Sequence, residues 1–164
     1  DAIAALTRDD FLRTADRFNT IGEEVRAAGM RFAYHSHGFD FIRFEGRYAF
    51  DDLIERCDPA LVAFELDIGN SIAAGADPPP YLAKLGARAP LTHLKDWRPG
   101  FVPATDRFPP TVPIGEGMVD FRTVGAAMAD AGVRHAFIEE EETPADAVIA
   151  AIASAHRYLT DLAA

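Results

Sequence analysis

The chain has 164 residues, 49% of them apolar and 26% charged, the size and balance of one ordinary globular domain with a real core. Its net charge of −10, with Arg and Lys scattered singly, argues against a nucleic-acid surface built on phosphate contacts. No run approaches the ~20 apolar residues that span a bilayer, no signal peptide is visible, and a lone cysteine excludes an internal disulfide.

A cytoplasmic location is expected, and because the chain opens on Asp1 rather than Met, a preceding segment is expected too. The spacing of Phe11, Ala15, Phe18, Ile21 and Val25 predicts a helix over 7–29, started by a capping-box-like Thr7/Asp10 pair and stopped by Gly29. The apolar run 31–37 (RFAYHSH) reads as a first strand, and 38–48 as a loop or short hairpin. A helix over 50–57 follows, ended by Asp58-Pro59, with Cys57 a buried small residue rather than an activated thiolate. The second strand is 61–67 (LVAFELD), then a loop and short helix over 69–75, then a stiff Pro78–Pro80 turn opening a helix over 81–86. The third strand is 90–96 (PLTHLKD). Residues 97–117 form a long irregular segment with five prolines, a length that marks function in compact domains. A helix over 121–132, a fourth strand over 135–141 (HAFIEEE) and a closing helix over 144–162 complete the chain.

Strict alternation of helix and strand points to parallel strands with right-handed crossovers. Neither a GxGxxG nor a GxxxxGK[ST] turn is present, so a nucleotide-binding doubly wound sheet loses ground to a β/α barrel. In such a barrel the active site lies at the C-terminal strand ends, and all four strands here end in His, Asp, Lys or Glu. Carboxylate and imidazole together are divalent-metal ligands.

His35 and His37 share a strand face and are candidates for metal or substrate, against a reading as hydrogen-bonded structural histidines. Asp67 is a metal candidate or the N-cap of the next helix. Glu65, deeper on the same face, reads as a supporting or substrate group, and Asn70 reaches in from the loop. His93 is a metal candidate. Lys95 supplies a cation for a substrate oxygen or a structural ion pair, and Trp97 a stacking face for a sugar or a packed loop aromatic. In the run Glu139–Glu142, alternate members must face inward, with Glu139 favoured as ligand and Glu141 as its alternative. Glu116, between two glycines that allow close backbone approach, reaches the site or is merely solvated. His135 and His156 read as structural or exposed.

The stretches FAYHSHGFDF, FELDIGN, THLKDW, VPIGEGMVDF and AFIEEE, in this order and nearly spanning the chain, resemble the xylose isomerase-like β/α-barrel superfamily, specifically its sugar phosphate isomerases/epimerases. The resemblance implies that residues 1–164 are the C-terminal half of a (β/α)8 TIM barrel, strands five to eight, without the N-terminal half. It also implies one divalent ion, Mn, Mg, Co or Zn, held by one side chain from each strand end. Carried over by motif, these are Asp67, His93, Glu139 and, where the family has Glu, His35. That departure puts a two-glutamate proton shuttle in doubt. At Asn70 many relatives have a substrate-binding His.

The expected activity is a metal-dependent isomerisation or epimerisation of a sugar, sugar phosphate or keto-sugar. Glu139 moves the proton with His37 or Glu116 as partner, and Lys95, Asn70 and Trp97 bind substrate. The alternatives are a lyase or dehydratase acting on a keto-inositol or 3-keto-glycoside at the same site, and a non-catalytic sugar-binding subunit. A DNA-repair endonuclease is disfavoured by the charge. The expected partner is a small-molecule substrate, with neither nucleic acid nor membrane; a homo-oligomer is left open.

Overall fold

The computed structural model describes residues 3–163; residues 1, 2 and 164 of the expected 1–164 unit lie outside the described residues. The Thr7 side chain accepts from the Asp10 amide and the Thr7 amide donates to the Asp10 carboxylate at 2.8 Å, so the expected capping box starts α1 (Arg8–Ala27). β1 (Phe32–His35) and a 3-10 turn (Gly38–Phe41) follow, then a two-stranded ribbon of β2 (Arg43–Phe44) and β3 (Arg47–Tyr48). Next come α2 (Ala49–Arg56), β4 (Val62–Asp67), α3 (Ile68–Ala73) and α4 (Pro78–Leu85). β5 (Leu91–Leu94) leads through β6 (Asp96–Trp97) and β7 (Thr111–Val112) to α5 (Phe121–Ala131), β8 (His135–Ile138) and α6 (Val148–Ala163).

Four strands form one parallel sheet in the order β1-β4-β5-β8, the alternation the sequence predicts. Pairing places His35, Glu65, Leu91 and His135 in one row, and Asp67, His93 and Phe137 in the next. Paired residues point to one face, so both rows line the face away from the helices. On the other face Phe64, Leu66, Thr92 and Leu94 are buried. Phe41, Phe50, Phe64 and Tyr81 meet at ring separations of 5.2–5.6 Å, each such burial stabilising by roughly 1.5–3 kcal/mol. Four β/α units make a partial barrel: among the described residues β1 and β8 each lack a pairing neighbour on one side, and Phe137 on β8 and Ile149 on α6 are exposed.

The boundaries differ from expectation at several ends: β1 stops at His35 and β5 at Leu94, each two residues short of the expected strand end. α4 begins at Pro78, not beyond Pro80, because the first turn of a helix needs no intrahelical N–H and proline's φ already suits it. Segment 97–117 is not wholly irregular, since β6 and β7 pair antiparallel within it. β8 stops at Ile138, because four consecutive carboxylates repel along an extended edge, although the Glu139 amide still donates to the Leu94 carbonyl at 2.9 Å. α6 begins at Val148, later than predicted. Cys57 is buried, and burial pushes its thiol up to about 11, as an inert structural cysteine requires.

Candidate active site

The register of the parallel sheet carries the polar strand ends to one place. Asp67 closes β4 and is fully buried. Its Oδ1 accepts the Asn70 amide at 2.8 Å, so it is the N-cap of α3, while Ser36 Oγ takes the Asp67 amide at 3.0 Å. Its Oδ2 makes no hydrogen bond, although His35 Nε2 lies 3.5 Å away and Lys95 Nζ 3.4 Å away. One oxygen of Asp67 therefore caps the helix, and the other is left facing His35 and Lys95.

Glu65 lies between two imidazoles. Its Oε2 is 3.4 Å from His35 Nδ1 and its Oε1 is 3.3 Å from His93 Nδ1, with the two rings 4.4 Å apart. One donor atom from each of His35, Glu65 and His93 falls within 4.8 Å of the others, the spread that could hold a metal ion. His93 Nδ1 is buried without a hydrogen-bond partner, so its approach to Glu65 is a convergence of two potential ligands and not a satisfied pair. The Asp67 carboxylate holds His35 above its usual pKa, with Glu65 adding and burial opposing.

Lys95 follows β5 and is almost wholly buried. Its Nζ is 2.8 Å from Glu139 Oε2 and 3.4 Å from both Asp67 Oδ2 and Glu141 Oε1. The Glu139 contact lacks hydrogen-bond geometry, yet at 2.8 Å the ammonium neutralises that carboxylate whatever the angle. Burial pulls Lys95 down, but Asp67, Glu139 and Glu141 outweigh it and hold the amine protonated. Gly69 makes room for this lysine: a Cβ there would sit 2.0 Å from Lys95 Cγ.

The remaining expectations fare unevenly. His37 is exposed, stacked on Phe39 and 4.8 Å ring to ring from His35; burial, then the His35 charge, lowers its pKa. Asn70 is buried in the first turn of α3 with its Oδ1 unpaired. Trp97 is a correction. Its indole is fully buried, donates to the Gly69 carbonyl at 2.6 Å and stacks on Phe108, which leaves no face for a sugar. Glu116 is exposed in its turn, outside the ion pairs that join His35, Glu65, His93, Lys95 and Glu139. Its flanking glycines pack closely against the protein itself: a Cβ on Gly117 would overlap the Asp96 carboxylate, and one on Gly115 would meet Tyr158 at 2.9 Å. His135 and His156 are exposed, away from the cluster.

Two residues take places the sequence reading did not give them. Glu65, expected by parity on the face of Asp67 as a supporting or substrate group, stands between the His35 and His93 imidazoles. Asp96, buried, accepts four backbone amides, from Trp97, Gly115, Gly117 and Val119, at 2.9–3.1 Å, and so shapes the loop beside the site.

A parallel sheet of β/α units with imidazoles, carboxylates and a buried ammonium at its C-terminal strand ends is the arrangement of a β/α barrel. The model of the family described as "Xylose isomerase-like TIM barrel" matches residues 4–161, and the chain belongs to that family. It is 28% identical over 153 residues to an inosose dehydratase of Lacticaseibacillus casei, covering 86% of this chain and 50% of the relative. It is 30% identical over 157 residues to the inosose dehydratase of Geobacillus thermodenitrificans, covering 88% and 52%. The crystal structure of a sugar phosphate isomerase/epimerase from Parabacteroides distasonis superposes with a TM-score of 0.77 at 25% identity, over 94% of this chain and 54% of that one. The chain thus spans about half the length of the curated relatives it matches. No helix among the described residues is long and apolar enough to cross a membrane.

Proposed function

We propose that this chain supplies the metal-binding and proton-transfer half of a barrel enzyme that works on a polyhydroxylated ketone, a sugar, sugar phosphate or keto-sugar, by proton transfer α to the carbonyl. Two buried donor atoms without hydrogen bonds, Asp67 Oδ2 and His93 Nδ1, carry this reading, because a buried polar atom left unpaired costs roughly 1–3 kcal/mol unless a ligand completes it. His35, Asp67, His93 and Glu139 are the sequence-derived donors for one divalent ion, Mn, Mg, Co or Zn, and the imidazole–carboxylate chemistry fits that group. When bound, such an ion polarises the ketone oxygen and acidifies the neighbouring C–H.

The chain's own residues do the rest. Lys95 pairs with Glu139, the group that would accept the α-proton, and offers an N–H to a substrate oxygen. His37, exposed and with a lowered pKa, is neutral near pH 7 and relays a proton at the open side. Isomerisation or epimerisation returns that proton to carbon.

Dehydration, in which the proton goes to a departing β-hydroxyl, is the second reading. It is favoured by the inosose dehydratase relatives and by His35, an imidazole at a strand end where an isomerase of the expected type has its second proton-carrying glutamate. Incubation of the complete barrel protein carrying this chain with a keto-inositol or ketose in D2O, followed by NMR, tests both: deuterium uptake with retained formula marks an isomerase, loss of water a dehydratase. Absence of both, or turnover undiminished after chelation of divalent ions, sinks the proposal.

A further inference from the structure

We infer that Glu65, rather than Glu139, is the carboxylate that completes the metal site with His35 and His93, while Lys95 is the resident cation that claims Glu139. The inference rests on the metal reading above and reassigns its donors. Glu65 is paired with His35 across β1 and β4, and His93 is one row further along on β5, so three adjacent strands aim these groups at one point.

The separations fit a shared ion. Two donors each about 2.1 Å from one ion at a tetrahedral angle lie about 3.4 Å apart. Glu65 Oε2 is 3.4 Å from His35 Nδ1 and Oε1 is 3.3 Å from His93 Nδ1, so the carboxylate would face an ion between the imidazoles with both oxygens, and one donor atom of each residue lies within 4.8 Å of the others. The orphaned His93 Nδ1 has no other polar partner to explain its burial.

Glu139 is engaged elsewhere. Its buried oxygen is 2.8 Å from Lys95 Nζ, which Glu141 and Asp67 also approach at 3.4 Å. The site thus holds two cation positions side by side, one for an ion at β1, β4 and β5, the other filled by an ammonium between β5 and β8. Asp67, whose free oxygen lies between His35 and Lys95, borders both. A carboxylate paired with a lysine remains free to exchange a proton with substrate, which one bound to a divalent ion does far less readily.

The test is Co2+ binding to the full chain, stripped with a chelator and followed by calorimetry and visible absorption. Glu65→Gln should weaken Co2+ at least about a hundredfold, whereas Glu139→Gln should bind within about threefold of the unsubstituted chain. Glu65→Asp, which keeps the charge and shortens the reach, guards against misfolding of the Gln variant. As a ligand it gives a partial loss and an altered Co2+ spectrum; unchanged affinity and spectrum in the folded Asp variant would count against the assignment. Loss in Glu139→Gln equal to or greater than that in Glu65→Gln overturns it. An unsubstituted chain that takes up no Co2+ overturns the metal reading itself, whereas uptake indifferent to Glu65 overturns only this inference.

Discussion

Asp67 closes β4 and Asp96 opens β6 just beyond β5; both are fully buried, and they are finished differently. Asp96 has both oxygens satisfied, Oδ1 by the amides of Trp97 and Val119 and Oδ2 by those of Gly115 and Gly117. Asp67 has one oxygen on the Asn70 amide and the other without a hydrogen bond. A carboxylate whose acceptors are all used holds backbone in place; one left half-used beside imidazoles and an ammonium is available to a ligand. Stability should therefore be sensitive at Asp96 and binding at Asp67.

The largest effect is expected at Asp96. Asp96→Ala strands four amides at roughly 1 kcal/mol or more each, so chemical denaturation should show a loss of about 4 kcal/mol. Asp96→Asn, which keeps one accepting oxygen, should lose about half of that. If Asp96→Ala melts like the unsubstituted chain, the loop is held by something else. Gly69→Ala comes next. Its Cβ would overlap Lys95 Cγ, and expelling that lysine from among its carboxylates should cost about 1–3 kcal/mol, with a matching loss of turnover. Unchanged stability and turnover would separate Lys95 from the site.

Asp67→Asn sharpens the contrast. Asparagine caps a helix about as well as aspartate, so stability should move by no more than about 1 kcal/mol. In the proposed enzyme, divalent-ion affinity and turnover should fall by about a hundredfold or more. A variant as unstable as Asp96→Ala but still binding metal would reverse the roles assigned to the two aspartates.

Much of this was legible in the sequence and some could not be. The four strands announce themselves as apolar runs, and their polar ends locate the site edge because parallel β/α units put all C-terminal ends together. Parity gives the shared face of Glu65 and Asp67 but not which is opposite His35; that depends on register between strands some thirty residues apart. The Gly115-Glu116-Gly117 turn reads as a ligand loop because its true partner, the Asp96 carboxylate, is about twenty residues upstream. Trp97 reads from the sequence as a sugar-stacking face or a packed loop aromatic, and the Gly69 carbonyl and Phe108 ring, which a local reading does not supply, decide for the second.

The smallest expected effect lies just behind the site, at a third buried aspartate. Asp40 accepts the His37 amide at 2.7 Å and the Tyr34 hydroxyl at 3.0 Å, and burial pushes its carboxyl from 3.8 up to about 7 against those bonds. A carboxyl raised in the native state binds a proton more tightly folded than unfolded. Its stabilising contribution is full below the unfolded value near 4 and is lost as pH rises toward 7. Asp40→Asn keeps an acceptor for the His37 amide without the titration. Its melting temperature relative to the parent chain should therefore improve between pH 4 and pH 7. Parallel pH profiles for the Asp40 variant and the parent would mean that Asp40 is ionised throughout. The loop carrying His37 would then be held by a charge, like the Asp96 loop, and not by a neutral acid.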